Sequence, residues 1–123
     1  MATVADAFHA LFRAFGEDRD VEAFTALWVV DDPSITMWGS DLWEQAEGAD
    51  AVRRLGEALV GDEDALSFEW DELQIHERAE VAWVNARGSI LVGGTPSPYR
   101  VTAVLLHTYA GWRWHTFNGA IPD

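Results

Sequence analysis

A chain of 123 residues, 49% of them apolar, is long enough for one domain with a core of its own, spanning residues 1–123. Its net charge of −13 argues against nucleic acid or an anionic membrane as a partner, since both demand a basic footprint. Cysteine is absent, which excludes disulfides and thiolate chemistry, and all eight basic residues are arginine, which excludes a lysine Schiff base.

Thr3 is placed to cap a first helix, with Asp6 in its first turn, where a carboxylate suits the helix N-terminus. Val4, Phe8, Leu11, Phe12 and Phe15 then form one apolar stripe, and Gly16 stops the helix. A second helix begins at Asp18 to Asp20 and carries Val21, Phe24, Leu27 and Trp28. Asp31-Asp32-Pro33 signals a turn, Ser34 to Trp38 a short strand, and Gly39-Ser40-Asp41 a break. Leu42 to Gly48 reads as a loop or one helical turn. Ala49 to Val60 is a third helix with Val52, Leu55 and Leu59 on one face, ended by Gly61.

Leu66 to Glu77 reads as a strand whose alternation changes phase. Leu66, Phe68 and Trp70 share one phase, whereas Leu73 and Ile75 take the other. One extra residue in a strand does this, so a β-bulge is expected near Asp71 or Glu72, with a strand ending near Trp70 as the alternative. A strongly bent strand favours a sheet that encloses a cavity.

From Val81 to Gly119 the pattern is a three-stranded antiparallel meander, reversing at Gly93 to Pro98 and at Ala110-Gly111. The second turn sets His107 opposite Trp114 and Leu105 opposite Thr116. One face then carries Ala82, Val84, Ala86 and Ile90, with Val101, Ala103, Leu105 and His107, and with Trp112, Trp114, Thr116 and Asn118. This face is expected to look inward, its isolated polar groups orienting a ligand among apolar ones. The opposite face mixes Trp83, Val104, Leu106 and Phe117 with Arg87 and Arg100, a composition suited to a protein interface. Helices followed by strands, with no βαβ repeat, make this an α+β fold with helices on one face of the sheet.

Two groups are candidates for proton transfer. His107, set beneath the helices, reads either as a satisfied core residue or as an acid/base. Asp41 and Glu44, where a strand ends and the chain bends over the sheet, read either as solvated loop carboxylates or as a base and its neighbour at a pocket mouth. Trp38, Trp43 and Trp70 suit a pocket wall and core filling equally, and Trp114 reads as the cross-strand neighbour of His107 beneath the helices. His9, His76, His107 and His115 have no metal-ligand spacing, and no metal or other cofactor is expected. The start of the chain lacks a basic segment leading into an apolar run, and no apolar run approaches a membrane span, so a cytoplasmic protein is expected.

Four stretches carry a resemblance: FTALWVVDDPSITMWGSD after the first helix, the segment from Glu44 to Val52, VAWVNARG, and the terminal GWRWHTFNGAIP. Together they resemble the SnoaL-like domains of the nuclear transport factor 2-like superfamily, which also contains ketosteroid isomerase and scytalone dehydratase. The resemblance spans nearly the whole chain. It implies a cone-like curved antiparallel sheet wrapped around the three helices of the N-terminal half, with an apolar pocket between, and homodimers through the sheet. It implies activities ranging from isomerase, cyclase and dehydratase chemistry to ligand binding without catalysis. In catalytic members, acid/base Asp or His residues stand in the pocket. Thr116 and Asn118 stand where many relatives have histidines in the last strand, and an asparagine can orient a ligand but cannot shuttle protons at neutral pH. That leaves His107 and Asp41 as catalytic candidates, and Trp38, Trp43, Glu44, Trp70, Trp114, Thr116 and Asn118 as ligand contacts. The ligand expected is a small apolar or aromatic molecule.

Overall fold

A computed structural model describes residues 2–64 and 66–122. Helix α1 spans Val4–Gly16, and Thr3 closes a capping box on it: the Thr3 hydroxyl accepts from the Asp6 amide at 3.1 Å, and the Asp6 carboxylate from the Thr3 amide at 2.9 Å. Helix α2 is short, Val21–Ala26, capped by Asp20, whose carboxylate accepts from the Glu22 and Ala23 amides. Strands β1 (Thr36–Trp38) and β2 (Gln45–Glu47), helix α3 (Ala49–Val60), and strands β3 (Leu66–Arg78), β4 (Val81–Val92), β5 (Thr95–Thr108) and β6 (Gly111–Ala120) follow.

The strands form one open, curved six-stranded sheet in the order β2-β1-β6-β5-β4-β3. The expected α+β class therefore holds, with three local differences. Leu42 to Gly48 is no plain loop or helical turn: its second half is β2, an edge strand with one buried side chain, Ala46. Three residues are too few to show an alternation. The sheet is also not wholly antiparallel, because β1 runs parallel to β6. Leu27 and Trp28 do not extend α2 either. The Leu27 carbonyl accepts from the Trp114 amide at 2.7 Å and the Val29 amide donates to the Trp114 carbonyl at 2.9 Å, so this stretch already lies along β6.

The predicted bulge is at Asp71. Trp70 pairs with Gly88 and Glu72 with Arg87, leaving Asp71 unmatched. Gly88 is what lets the two strands close there. A Cβ at that position would overlap the Glu69 carbonyl oxygen and lie 2.8 Å from the Trp70 Cα. Beyond this bend the sheet turns over the helices.

The β4–β5 hairpin is tighter than expected. Its turn is only Gly93-Gly94, both with positive φ (57° and 87°), and Val92 pairs with Thr95. Pro96 and Pro98 are strand residues, tolerated because β6 ends at Ala120, opposite Arg100, leaving β5 an open side beyond it. Every side chain of β4 and β5 keeps its predicted face, with Ala82, Val84, Ala86, Val101, Ala103 and Leu105 buried.

In β6 it does not. Near the turn Leu105 pairs with Trp114 and His107 with Trp112, but Val104 pairs with Thr116, so His115 is a second bulge. Its ring contacts the Ser34 hydroxyl at 2.8 Å and the Thr116 hydroxyl at 2.6 Å, tying the bulge to the turn before β1. The bulge reverses the remainder of the strand. Phe117 and Gly119 are buried, whereas Thr116 and Asn118 lie on the outer face, contrary to expectation.

The core between helices and sheet is aromatic. Phe12 lies 4.8 Å from Phe68, 5.0 Å from Trp70 and 5.9 Å from both Trp114 and Phe117, between ring centroids. Trp114 is fully buried and donates its indole N–H to the Ala7 carbonyl at 2.9 Å. These rings pack the space between α1 and the sheet. No helix among the described residues is long and apolar enough to cross a membrane.

Candidate functional site

The mouth is built on the β1–β2 connection. Its ends are pinned by the Gly39 amide donating to the Glu44 carbonyl at 2.8 Å and the Glu44 amide donating to the Asp41 carbonyl at 2.9 Å. Glu44 then folds back over its own loop, and its carboxylate accepts from the Asp41 amide at 2.9 Å. Glycine at position 39 makes this possible, because a Cβ there would lie 2.9 Å from the Glu44 Oε1. The sequence thus turns a carboxylate inward that would otherwise be solvated.

Facing this loop, Tyr99 projects from β5 and is only 4% exposed. Its ring fits because two in-strand glycines flank it: Gly88 is its partner across β4, and a Cβ on Gly119 of β6 would overlap its hydroxyl. Between the loop and Tyr99 lies a cavity of about 240 Å³. Phe15, Met37, Leu59, Phe68, Ile90 and Phe117 wall it, and Ser40, Asp41, Glu44 and Asp62 supply its polar rim with Tyr99. The volume is below the roughly 300–1,000 Å³ typical of sites for drug-sized ligands, which limits an occupant to about one ring with a short substituent.

The electrostatics are coupled. Burial pushes the Glu44 carboxyl above the ordinary glutamate value; the Asp41 amide pulls it back, and the Asp41 carboxylate adds to the rise. Burial also pushes the Tyr99 phenol well up, reinforced by the Glu44 and Asp41 carboxylates and opposed by the Ser40 hydroxyl. Tyr99 is therefore a neutral phenol throughout the working range of pH, able to donate one hydrogen bond and accept others.

A raised acid in the folded state has a defined sign. The native chain holds the Glu44 proton more tightly than the unfolded one, so stability falls as pH rises from the unfolded to the folded pKa. Glu44→Gln should flatten that fall. A ¹³C-carboxyl NMR titration should place the Glu44 midpoint above that of an ordinary glutamate; a midpoint at or below it contradicts this reading.

Of the residues singled out from the sequence, Asp41 and Glu44 come together at this mouth. The others do not. His107 lies eight residues beyond Tyr99 on β5, roughly 25 Å of strand away, and is exposed beside Trp112. Trp114 belongs to the sealed core, and Trp70 packs there against Phe8 and Phe12. Trp38 and Trp43 are 42% and 62% exposed. Thr116 hydrogen-bonds His115, and Asn118 lines a separate open groove of about 490 Å³ on the outer face with Gln74, Asn85, Arg87, Arg100 and Thr102. Tyr99 escaped the sequence reading because Pro96 and Pro98 made its stretch resemble a loop. The available signal was its phase, shared with Val101, Ala103 and Leu105. Among the described residues no group of three or more His, Cys, Asp or Glu is gathered to hold a metal ion.

The model of the SnoaL-like domain matches residues 3–121. The chain belongs to the SnoaL-like family. No protein with a curated description matches it. The fold of this SnoaL-like domain is shared with solved structures at low identity. A candidate dehydratase of the nuclear transport factor 2-like family from Streptomyces avermitilis superposes with a TM-score of 0.86 at 19% identity, over 98% of this chain and 94% of that one. A nuclear transport factor 2-like superfamily protein from Salmonella enterica serovar Typhimurium gives 0.81 at 13%, over 98% and 89%. A cystatin-like-fold protein of unknown function from Nostoc punctiforme gives 0.79 at 14%, again over 98% and 89%.

Proposed function

We propose that this SnoaL-like domain binds a small apolar or aromatic molecule in the mouth cavity, with its polar end against Tyr99, Asp41 and Glu44. One observation carries this reading: a cavity walled largely by apolar side chains that also holds Tyr99, Asp41 and Glu44, two of them with perturbed protonation. The same groups suit proton transfer of the isomerase, cyclase or dehydratase kind, with Asp41 or Glu44 as the proton acceptor and Tyr99 as the hydrogen-bond donor to the developing oxyanion. His107 has no part in it.

The second reading is a homodimeric binding module without catalysis. The aromatic filling of the cone favours it, since little room remains for a large substrate. A partner copy would sit on the outer sheet face, where Trp83, Val104 and Leu106 are only half-buried and Trp38 is 42% exposed.

Calorimetric titration with 2-phenylethanol tests the binding site. Tyr99→Phe removes one hydrogen bond worth about 1 kcal/mol, so affinity should drop about fivefold while the fold is retained. An unchanged affinity would remove Tyr99 from the site. Solvent-deuterium exchange into a small aryl ketone tests the chemistry: exchange lost in both Asp41→Asn and Glu44→Gln supports proton abstraction, and none in the native protein supports the module without catalysis.

A further inference from the structure

We propose that the natural occupant of the mouth cavity is a cationic amphiphile: a primary or secondary amine carrying one aromatic or branched apolar group. This rests on the cavity being a binding site, and adds what the site would select.

The argument begins with charge. Asp41, Glu44 and Asp62 all line the rim, and no arginine or histidine does. The Arg19 guanidinium is committed to the backbone carbonyls of Val60 and Asp62. An anionic ligand would meet three carboxylates with nothing to offset them. A neutral ligand would leave the Glu44 carboxyl in the desolvated position that burial already makes unfavourable. A cation answers both problems, because an ammonium between Asp41 and Glu44 pairs with both carboxylates and replaces the solvation that burial takes from Glu44.

A second observation is independent of the acids. Tyr99, 96% buried, brings its hydroxyl to the cavity beside the Ser40 hydroxyl, and a phenol oxygen has a second lone pair to offer a ligand. Flanking carboxylates and burial keep that phenol neutral, so its oxygen can accept an ammonium proton. The wall supplies the third element. Phe15, Phe68, Phe117 and the Tyr99 ring present aromatic surface directly beside the charged rim, which suits both an apolar group and a cation held over a ring face. Finally, the net charge of −13 raises the local concentration of cations and accelerates their capture.

Three ligands of one shape separate the possibilities: 2-phenylethylamine, 2-phenylethanol and phenylacetate, titrated by calorimetry at neutral pH. The amine should bind at least tenfold more tightly than the alcohol, and phenylacetate more weakly than either. Raising sodium chloride should weaken the amine and leave the alcohol nearly unaffected. In the Asp41→Asn/Glu44→Gln variant the amine-to-alcohol ratio should fall to about two or less, with near-UV circular dichroism confirming the native fold. If the variant does not fold, the salt dependence and the three-ligand ranking of the native chain decide the matter alone. Phenylacetate binding as tightly as the amine overturns the proposal, as does an amine advantage that survives both substitutions. Alcohol binding with no preference for the amine sinks the cation alone and leaves the cavity a binding site. Failure of all three ligands to bind overturns the cavity reading and this inference together.

Discussion

Gly88→Ala should cost the fold about 3 kcal/mol or more, measured as the loss in the urea-unfolding free energy. The added methyl would meet backbone, not a yielding side chain: the Glu69 carbonyl oxygen and, at 2.8 Å, the Trp70 Cα. Strand β3 would have to lift off β4 at the Asp71 bulge, where the sheet bends. Gly93→Ala is the control. It has open space around it but a φ of +57°, so it should lose only about 1 kcal/mol through backbone conformation. Similar losses for the two would mean that the β3–β4 crossing is looser than described.

Trp114→Ala is expected to be as damaging, at about 4 kcal/mol. Truncating a fully buried tryptophan typically costs about 3–5 kcal/mol, and here the Ala7 carbonyl of α1 also loses its donor. The ring lies 5.5 Å from Phe8, 5.9 Å from Phe12 and 5.7 Å from Phe117, so one side chain joins α1 to β6. Trp114→Phe would keep most of the apolar contact and lose the hydrogen bond, and should fall in between. Trp43→Ala, at a residue 62% exposed, should stay within about 0.5 kcal/mol of the native protein. A loss below 1 kcal/mol at Trp114 would indicate a loosely packed interior with more room for a ligand than the mouth alone.

The contrast between these two tryptophans shows how far residue type carries. Both are Trp on stretches of mixed polarity, but Trp114 lies in β6 with its ring turned inward, whereas Trp43 lies in the turn between β1 and β2. Along β3 the register was legible, because Leu66, Phe68 and Trp70 against Leu73 and Ile75 is a clear change of phase. Along β6 the same event at His115 was hidden. Trp112 and Trp114 set one phase, and a single residue, Phe117, marks the other, with polar Thr116 and Asn118 continuing the first. A two-residue period extended through that bulge puts Thr116 and Asn118 inside, and the chain does the opposite. Strands β1 and β2 have three residues each, too short for any period, so neither the parallel pairing nor the edge was readable.

For the site, the Gly39-Ser40-Asp41 break followed by Glu44 was enough to place carboxylates where the chain folds over the sheet. What the sequence withheld was their partner. Tyr99 sits between two prolines and an arginine, and only the open side of β5 explains how so irregular a stretch remains strand. His107 was the opposite case. Its phase was right, but it stands at the far end of the strand, where the phase that buries Leu105 is already exposed.

The central claim is that the cavity between the Gly39–Glu44 loop and Tyr99 takes up a one-ring ligand. Backbone-amide NMR spectra recorded during titration with 2-phenylethanol test it most directly. Saturable shifts should be largest at Gly39 to Glu44, Ile90, Tyr99 and Gly119, and small at Asn85, Thr102 and Asn118 on the outer face. Shifts concentrated on those outer-face residues, or no saturable shift at all, would contradict it.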